Sequence, residues 1–225
     1  MRLPEIDSDE LLAFLSALLN TPSPAGFTDR AIAQIENAML EIPGWNVERK
    51  RKGALLAVFE GKRSDQPRAL SAHADTLGAM VKEIKPNGRL KITQLGGYTW
   101  NSIEGEGCTI FTLEGKAYRG SILIDAASGH VYGKKASETP RDEEHMELRL
   151  DERVTNADQT RALGIQVGDF IAFDPRVEIH NGFVRSRHLD DKAGVACMLA
   201  AARALTKSGR NPEQRTYFFF SNYEE

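Results

Sequence analysis

Two segments near the start of the chain have the spacing of amphipathic helices. Residues 8–19 place apolar side chains at the i, i+3, i+4 and i+7 positions that share one helix face, after a polar start at Ser8-Asp9-Glu10. Residues 28–40 repeat this spacing. Between them, residues 21–26 contain prolines and a glycine, which interrupt any regular element. The pattern predicts two helices joined by a loop.

Short apolar runs typical of strands follow the helices. They are residues 45–49, 54–59 and 68–72. Further along, residues 177–184 alternate apolar and polar side chains, residues 193–205 form a helix-like run of small residues, and residues 216–220 form a buried-looking strand. Helices and strands in this order predict an α/β domain in which helices are layered on a sheet.

The intermediate region has a different pattern. From residue 79 to residue 173, short β-like runs are separated by turn signals such as Asn87-Gly88 and Gly96-Gly97. Regular short strands with such turns are typical of a small β-barrel or sandwich. The runs are residues 80–84, 90–94, 108–113, 120–124 and 170–173. The sequence therefore predicts an α/β domain in two parts, residues 1–76 and 177–225, with a β-barrel domain inserted at residues 77–176.

One part of the inserted region lacks the β pattern. Residues 134–147 are dense in charge and contain Pro140, so they are predicted to form an exposed and mobile loop. His130 and His145 lie near or in this loop and are interpreted as ordinary surface residues.

Composition narrows the class of protein. The 29 basic and 32 acidic residues give a formal charge of -3, so nucleic acid is not an expected partner. Cys108 and Cys197 are the only cysteines and lie far apart, which fits a reducing cytosol without a disulfide framework. The N-terminus is polar, and no apolar run reaches transmembrane length. We therefore expect a soluble cytoplasmic protein with no membrane partner.

Two adjacent carboxylates, Asp190 and Asp191, lie at the predicted junction between residues 177–184 and 193–205. Side chains at a strand-to-helix junction can point into a crevice at the strand end. Aspartate is also a common helix N-cap, so one carboxylate can instead accept backbone N–H groups of the following helix. Both interpretations stay open for this segment alone.

Two further strand ends carry similar residues. His73 and Asp75 follow the run at residues 68–72 and, two positions apart on a strand, project from one face. Glu224 and Glu225 follow the C-terminal strand. A capped histidine or a solvated acidic end would explain either segment alone. Neither explains why an apolar strand ends in metal-type ligands three times.

The sequence resembles the cytosolic co-catalytic metalloaminopeptidases, peptidase family forty-two, which include the tetrahedral and glutamyl aminopeptidases. The resemblance covers the whole chain and rests on His73-Ala74-Asp75, Leu189-Asp190-Asp191-Lys192-Ala193-Gly194 and Glu224-Glu225, with Gly96-Gly97 and the inserted β segment. Three motifs in this order at compatible spacings are fairly specific, whereas any one alone is weak. The resemblance implies a layered metallopeptidase domain whose inserted β-barrel serves in dimerisation.

The resemblance also implies a site for two divalent metal ions, zinc or cobalt, with His73, Asp190 and Glu225 as metal ligands. Asp190 would bridge both ions, since the two oxygens of a carboxylate can hold two cations. Asp75 would fix the ring of His73, and Glu224 would be the general base that deprotonates water. Asp191 would shape the turn after a cis peptide bond.

The sequence departs from the family pattern at its end. The family continues with one more carboxylate ligand and a second His ligand, whereas this chain stops at Glu225, and His180 and His188 cannot be assumed to replace them. We therefore expect the N-terminal portion of a longer enzyme or a truncated gene product. Two functions remain open: an aminopeptidase acting on short peptides, and a non-catalytic assembly or binding protein that kept the scaffold without the metal site.

Two finer expectations follow from the resemblance. The sequence looks similar to a bacterial branch linked to a small acetylated glutaminyl-glutamine osmoprotectant, so a modified dipeptide is a further candidate substrate. Family members build large hollow oligomers through the β domain. The full-length protein is therefore expected to be a homo-oligomer, a dodecamer.

Overall fold

The computed structural model describes residues 3–225; Met1 and Arg2, with which the predicted segment 1–76 begins, lie outside the described residues. The helices are α1 (Ser8–Leu19), α2 (Asp29–Leu40), α3 (Gly129–Tyr132), α4 (Lys134–Glu138), α5 (Ala157–Ala162) and α6 (Leu189–Lys207). The strands are β1 (Trp45–Arg49), β2 (Leu55–Phe59), β3 (Arg63–His73), β4 (Gly78–Ile84), β5 (Leu90–Leu95), β6 (Gly107–Phe111), β7 (Ala117–Ile124), β8 (Met146–Leu150), β9 (Phe170–Phe173), β10 (Glu178–His180), β11 (Phe183–Arg185) and β12 (Gln214–Ser221). Among these described residues, no helix is long and apolar enough to cross a membrane.

The chain divides into two compact units. The first comprises the chain up to Thr76 together with Pro175–Glu224, and the second comprises Leu77–Asp174 and Glu225. Mixed helices and sheets in the first unit and a closed six-stranded barrel in the second confirm the predicted fold class. The role of residues 77–176 as a dimerisation domain stays a prediction.

The first unit is built on a four-stranded sheet in the order β1-β2-β12-β3. Strand β12 is parallel to β3 and antiparallel to β2. Apolar side chains of α2 and α6 share one core with the sheet, in which the ring of Trp45 lies 5.2 Å from Phe59 and 4.6 Å from Phe218 between centroids. Full burial of a side chain such as phenylalanine stabilises a fold by about 1.5–3 kcal/mol. This core holds β3 and β12, whose ends carry the candidate site.

The predicted α1 and α2 are present, with a difference at the start of α1. The N-cap is Asp7, not a residue of the Ser8-Asp9-Glu10 run, and its Oδ1 accepts the N–H of Glu10 at 3.0 Å. The side-chain oxygen thereby satisfies one of the N–H groups that the first helical turn leaves without a partner.

The prediction of a single strand at residues 177–184 is wrong. These residues belong to a two-stranded sheet, separate from the main one, in which β10 pairs antiparallel with β11. Asn181 and Gly182 form the two-residue turn, with φ angles of 50° and 80°. Asn-Gly favours such a hairpin turn because both positions require positive φ. Asp190 and Asp191 therefore follow a hairpin and not a strand of the main sheet.

The second unit contains the closed barrel, in the order β4-β5-β8-β7-β6-β9. Inward-facing side chains on alternate positions, such as Ile92, Ile110, Ile122 and Ile171, are fully buried. The alternation places every second residue in the barrel core, as expected for a closed sheet.

The prediction of an exposed loop at residues 134–147 is wrong in part. Residues 134–138 form α4, and Met146 and Glu147 already belong to β8. Glu147 is 2% exposed and forms ion pairs with Lys85 and Arg89. His130 is exposed, and Nδ1 of His145 lies 2.7 Å from Oδ1 of Asp142.

Both cysteines are free. Cys108 is buried in the barrel, and Cys197 is exposed on α6. Burial raises the pKa of the Cys108 thiol to about 12. The cytosolic location inferred from the cysteine count stays a prediction.

Candidate metal centre

Two of the predicted segments meet because β3 and β12 are parallel neighbours. Their register pairs Ser221 with His73, and the N–H of Ala74 donates to the carbonyl of Ser221 at 2.9 Å. Parallel strands end at the same edge of a sheet, so the residues after both strands emerge together. Glu224, three residues beyond the paired Ser221, thus lies beside His73.

The imidazole of His73 is held by the residue two positions later. Its Nδ1 lies 3.0 Å from the backbone carbonyl oxygen of Asp75 and 3.5 Å from Oδ1 of the same residue. A carbonyl oxygen can only accept, so Nδ1 carries the proton and donates it. The second ring nitrogen, Nε2, is therefore the one available to a ligand or a metal.

Nε2 of His73 faces two carboxylates. It lies 3.3 Å from Oδ1 of Asp190 and 3.5 Å from Oε2 of Glu224. In the neutral ring Nε2 is an acceptor, as are both ionised oxygens, so three acceptor atoms face one another. Burial alone lowers the pKa of His73, but the Asp75 carbonyl and the nearby carboxylates outweigh it and raise that pKa above its ordinary value. A second ring proton or a cation would remove the mismatch.

This donor set fits a divalent metal ion. Imidazole nitrogen and carboxylate oxygen are ordinary zinc ligands. His73 is buried, whereas the side chains of Asp190 and Glu224 are 90% and 62% exposed, so both carboxylates can adjust around an ion with little rearrangement of the core. The assignment of ligands to an ion stays a prediction.

Asp75 also fixes the position of Glu224. Its side chain is fully buried, and Oδ2 accepts the backbone N–H of Glu224 at 3.0 Å. One residue therefore holds the ring of His73 through its backbone carbonyl and the Glu224 backbone through its carboxylate. The preceding Asn222 is buried too, and its amide donates to the carbonyl of Lys52 at 2.7 Å. Hydrogen bonds at Asn222 and at the backbone of Glu224 thus anchor the segment that carries Glu224.

Of the two adjacent carboxylates, one caps the following helix and the other faces His73. The peptide bond between them is cis, as the resemblance implied, and both have non-helical backbone angles at the start of α6. Oδ1 of Asp191 accepts the N–H of Gly194 at 3.0 Å and therefore caps the helix. Asp190 instead directs its carboxylate at His73.

Three further residues singled out in the sequence are Glu225, His180 and His188. Ligand atoms of Glu225, Glu224 and His73 all lie within 4.8 Å of one another. His180 is exposed in β10, and His188 is buried at the N-cap of α6.

Lys192 is a residue near the site whose role the sequence did not indicate. It is fully buried, and its Nζ donates to the carbonyls of Leu18 at 2.9 Å and Thr21 at 2.7 Å. Burial lowers the pKa of Lys192 to about 7. The one signal in the sequence for a role of Lys192 was its position directly after Asp190 and Asp191.

Comparison with known proteins places the chain in a family. The sequence model described as M42 glutamyl aminopeptidase matches residues 53–225, which include His73, Asp75, Asp190, Glu224 and Glu225. The chain belongs to this family. The matched region of this M42 protein contains β2, β3, the barrel, α6 and β12.

Relatives of this M42 protein are longer than the chain. YhfE of Bacillus subtilis (strain 168), named as a candidate aminopeptidase, is 48% identical over 217 residues, which are 95% of this chain and 62% of YhfE. A TET aminopeptidase from the marine sediment archaeon Thaumarchaeota archaeon SCGC AB-539-E09 is 20% identical and has the same fold, with a TM-score of 0.86 over 96% of this chain and 60% of that one. The TET1 peptidase of Pyrococcus horikoshii, described as able to assemble into a tetrahedron or a large octahedral shell, is also 20% identical, with a TM-score of 0.79 over 95% of this chain and 61% of that one.

Proposed function

We propose that the protein, over the full length of its family, is a metal-dependent aminopeptidase that removes N-terminal residues from short peptides. The observation that carries the proposal is the convergence of His73 Nε2 with oxygens of Asp190 and Glu224 in an M42-family chain. A cation held by Nε2 and Asp190 would suit hydrolysis of a peptide bond, with the Glu224 carboxylate beside it as the base.

The residues of this chain would share the work as follows. A bound divalent cation would polarise the substrate carbonyl and lower the pKa of water. His73 would hold the cation through Nε2, because Nδ1 donates to the Asp75 carbonyl. Asp190 would hold it through its exposed carboxylate. Glu224 would accept a proton from water on a carboxylate oxygen and then donate it to the leaving amine.

The finer proposal is a site with two ions, zinc or cobalt. Asp190 would bridge them, and Glu225 would bind the second ion. Support comes from the side chain of Asp190, which is exposed enough to present both oxygens, and from the grouping of Glu225 with His73 and Glu224. Glu224 as the base and Glu225 as a ligand would both have to face the same site. Neighbouring residues within a strand face opposite ways, so the strand must end before them. Strand β12 ends at Ser221.

We also propose that the protein assembles into a homo-oligomer, a dodecamer at full length. The support is the fold that it shares with the TET1 peptidase of Pyrococcus horikoshii, which is described as forming large shells. A closed assembly would limit access to small substrates, such as short peptides or a modified dipeptide.

The proposed function is tested by metal depletion. The protein at full family length is treated with a chelator, reloaded with zinc or cobalt, and assayed for release of N-terminal residues from short peptides and from an acetylated glutaminyl-glutamine dipeptide. We expect activity that disappears with the metal and returns with it. Hydrolysis that continues after complete metal removal would contradict the proposal. Metal-loaded protein that cleaves none of these substrates would favour the non-catalytic alternative.

A further inference from the structure

The loop at residues 21–26 is bonded to the segment that follows β3. Ser23 is fully buried, and its Oγ donates to the carbonyl of Ala74 at 2.7 Å. The carbonyl of Ser23 accepts the N–H of Thr76 at 2.9 Å, and the N–H of Ala25 donates to the carbonyl of Thr76 at 3.2 Å. The loop thus runs beside the residues after His73 and is hydrogen-bonded to them.

The same loop is bonded to the segment that carries Asp190. Lys192 donates from Nζ to the carbonyls of Leu18 and Thr21, at the C-terminal end of α1 and the start of the loop. The last carbonyls of a helix lack an i+4 partner within the helix and carry partial negative charge, so they attract N–H donors. A buried amine is costly unless its N–H donors are satisfied, so these two contacts constrain where the Asp190 segment can lie.

We propose that residues 21–26 act as a clamp that holds the His73 and Asp190 segments at a fixed separation, with Lys192 and Ser23 as its positioning residues. Both act through backbone carbonyls and not by touching a reacting group. The inference rests on the proposed function, because it assigns to the clamp the spacing between two ligands of one metal centre. Groups that orient the ligands of a metal typically change its affinity about 10–100-fold when removed.

The clamp predicts coupling between segments far apart in sequence. Amide hydrogen exchange of the 225-residue chain is measured by NMR for wild type, for Lys192→Met and for the control Lys207→Met, whose exposed ammonium pairs with Glu10 on the surface. In Lys192→Met we expect the amide of Thr76 to exchange about tenfold faster or more, beyond any change at Phe218 in the central strand. The control should match wild type. Acceleration at Thr76 no greater than at Phe218 would mean that Lys192 contributes only to global stability and would overturn the clamp.

A second variant tests the coupling in the opposite direction and decides the matter if Lys192→Met does not fold. Ser23→Ala removes one hydroxyl and leaves Lys192 in place. We expect faster exchange at the amide of Gly194, which donates to Asp191 at the start of α6. Unchanged exchange at Gly194, with faster exchange at Thr76, would show that the loop does not join the two segments.

A cobalt titration separates this inference from the proposed function. If wild type binds Co²⁺, we expect about 10–100-fold weaker binding in Lys192→Met and unchanged binding in Lys207→Met. Equal affinity in all three would overturn the positioning role even if the loop loosens. The titration uses protein of the length of the relatives, for which the metal-dependent function is proposed. If that wild type binds neither Co²⁺ nor Zn²⁺, the metal-dependent function is contradicted, and the exchange data alone decide whether the clamp exists.

Discussion

A neutral imidazole at His73 would present Nε2 to two carboxylates, an arrangement in which acceptor atoms repel one another. An acceptor left without a donor costs about 1–3 kcal/mol when it is withdrawn from water, and His73 is buried. A cation held by Nε2 and the carboxylate of Asp190, with the carboxylate of Glu224 beside it, would turn this repulsion into attraction. The same carboxylates raise the pKa of His73, so a second ring proton can take the place of the cation when no ion is bound.

Glu224→Gln tests the proposed general base at this scale. Glutamine has nearly the same shape, so the backbone N–H of residue 224 should still reach Asp75, but an amide cannot accept the proton from water. In the full-length enzyme we expect turnover to fall by roughly 10²–10⁴, with metal content near normal. Steady-state kinetics and elemental analysis on one sample provide the check. Near-normal turnover with metal bound would remove Glu224 from the mechanism.

The sequence pointed to the residues that the structure brings together near His73, but it did not predict which atoms of those residues are in contact. Ligand-type residues at strand ends are visible in the sequence, and so is the ambiguity between a ligand and a cap at Asp190 and Asp191. Which of the two aspartates caps the helix depends on the backbone turn at the start of α6, and a residue pattern does not encode that turn. Lys192 was missed because its carbonyl partners lie more than 170 residues away in the chain.

Charged residues in the barrel strands hid an element from the sequence pattern. Strand β8 reads Met-Glu-Leu-Arg-Leu, and Glu147 within it is nearly inaccessible yet paired with Lys85 and Arg89. A charge counts as exposed in a pattern unless its partners are known, and these partners lie about 60 residues earlier. The pairing therefore has an energetic role that can be measured.

Glu147→Ala should destabilise the protein by about 1–3 kcal/mol, because it removes a buried acceptor and leaves two cations without their carboxylate. The matched control is Glu144→Ala, in which the lost carboxylate is 70% exposed and pairs with Lys91. That change should cost much less, because solvent screens an exposed ion pair. Urea unfolding of both variants measures the difference, and equal losses would contradict a structural role for the Glu147 pairs.

Other elements were predicted to the extent that burial creates a pattern. The helices α1 and α2 and the strands β1 and β2 follow apolar periodicity closely. Strand β3 begins at Arg63, five residues before its predicted start, because its first nine residues are exposed and carry no apolar alternation. The hairpin of β10 and β11 was read as one strand because the turn at Asn181 and Gly182 was overlooked.

At the scale of the whole molecule, the chain belongs to a family whose members compared above are longer than it is. The chain spans 62% of YhfE and 60% of the TET aminopeptidase to which its fold is similar. Activity, substrate and assembly therefore have to be tested on a protein of the length of those relatives.

Assembly is the simplest property to measure at this scale. We expect the full-length protein to have the mass of a homo-oligomer, a dodecamer, in light scattering at micromolar concentration. In such an assembly, an enclosed site would exclude folded proteins and admit short peptides. A monomeric mass under these conditions would contradict the proposed assembly.

The metal content of two variants tests the central proposal most directly. Asp190→Ala should lose both ions, because it removes the bridging carboxylate and leaves the repulsion between two cations uncompensated. His73→Ala removes a ligand from one ion and should retain the other with reduced affinity. Elemental analysis of wild type and both variants at full length should therefore give two ions, none and one per chain. Equal loss in the two variants, or no loss in Asp190→Ala, would contradict a shared metal centre at these residues.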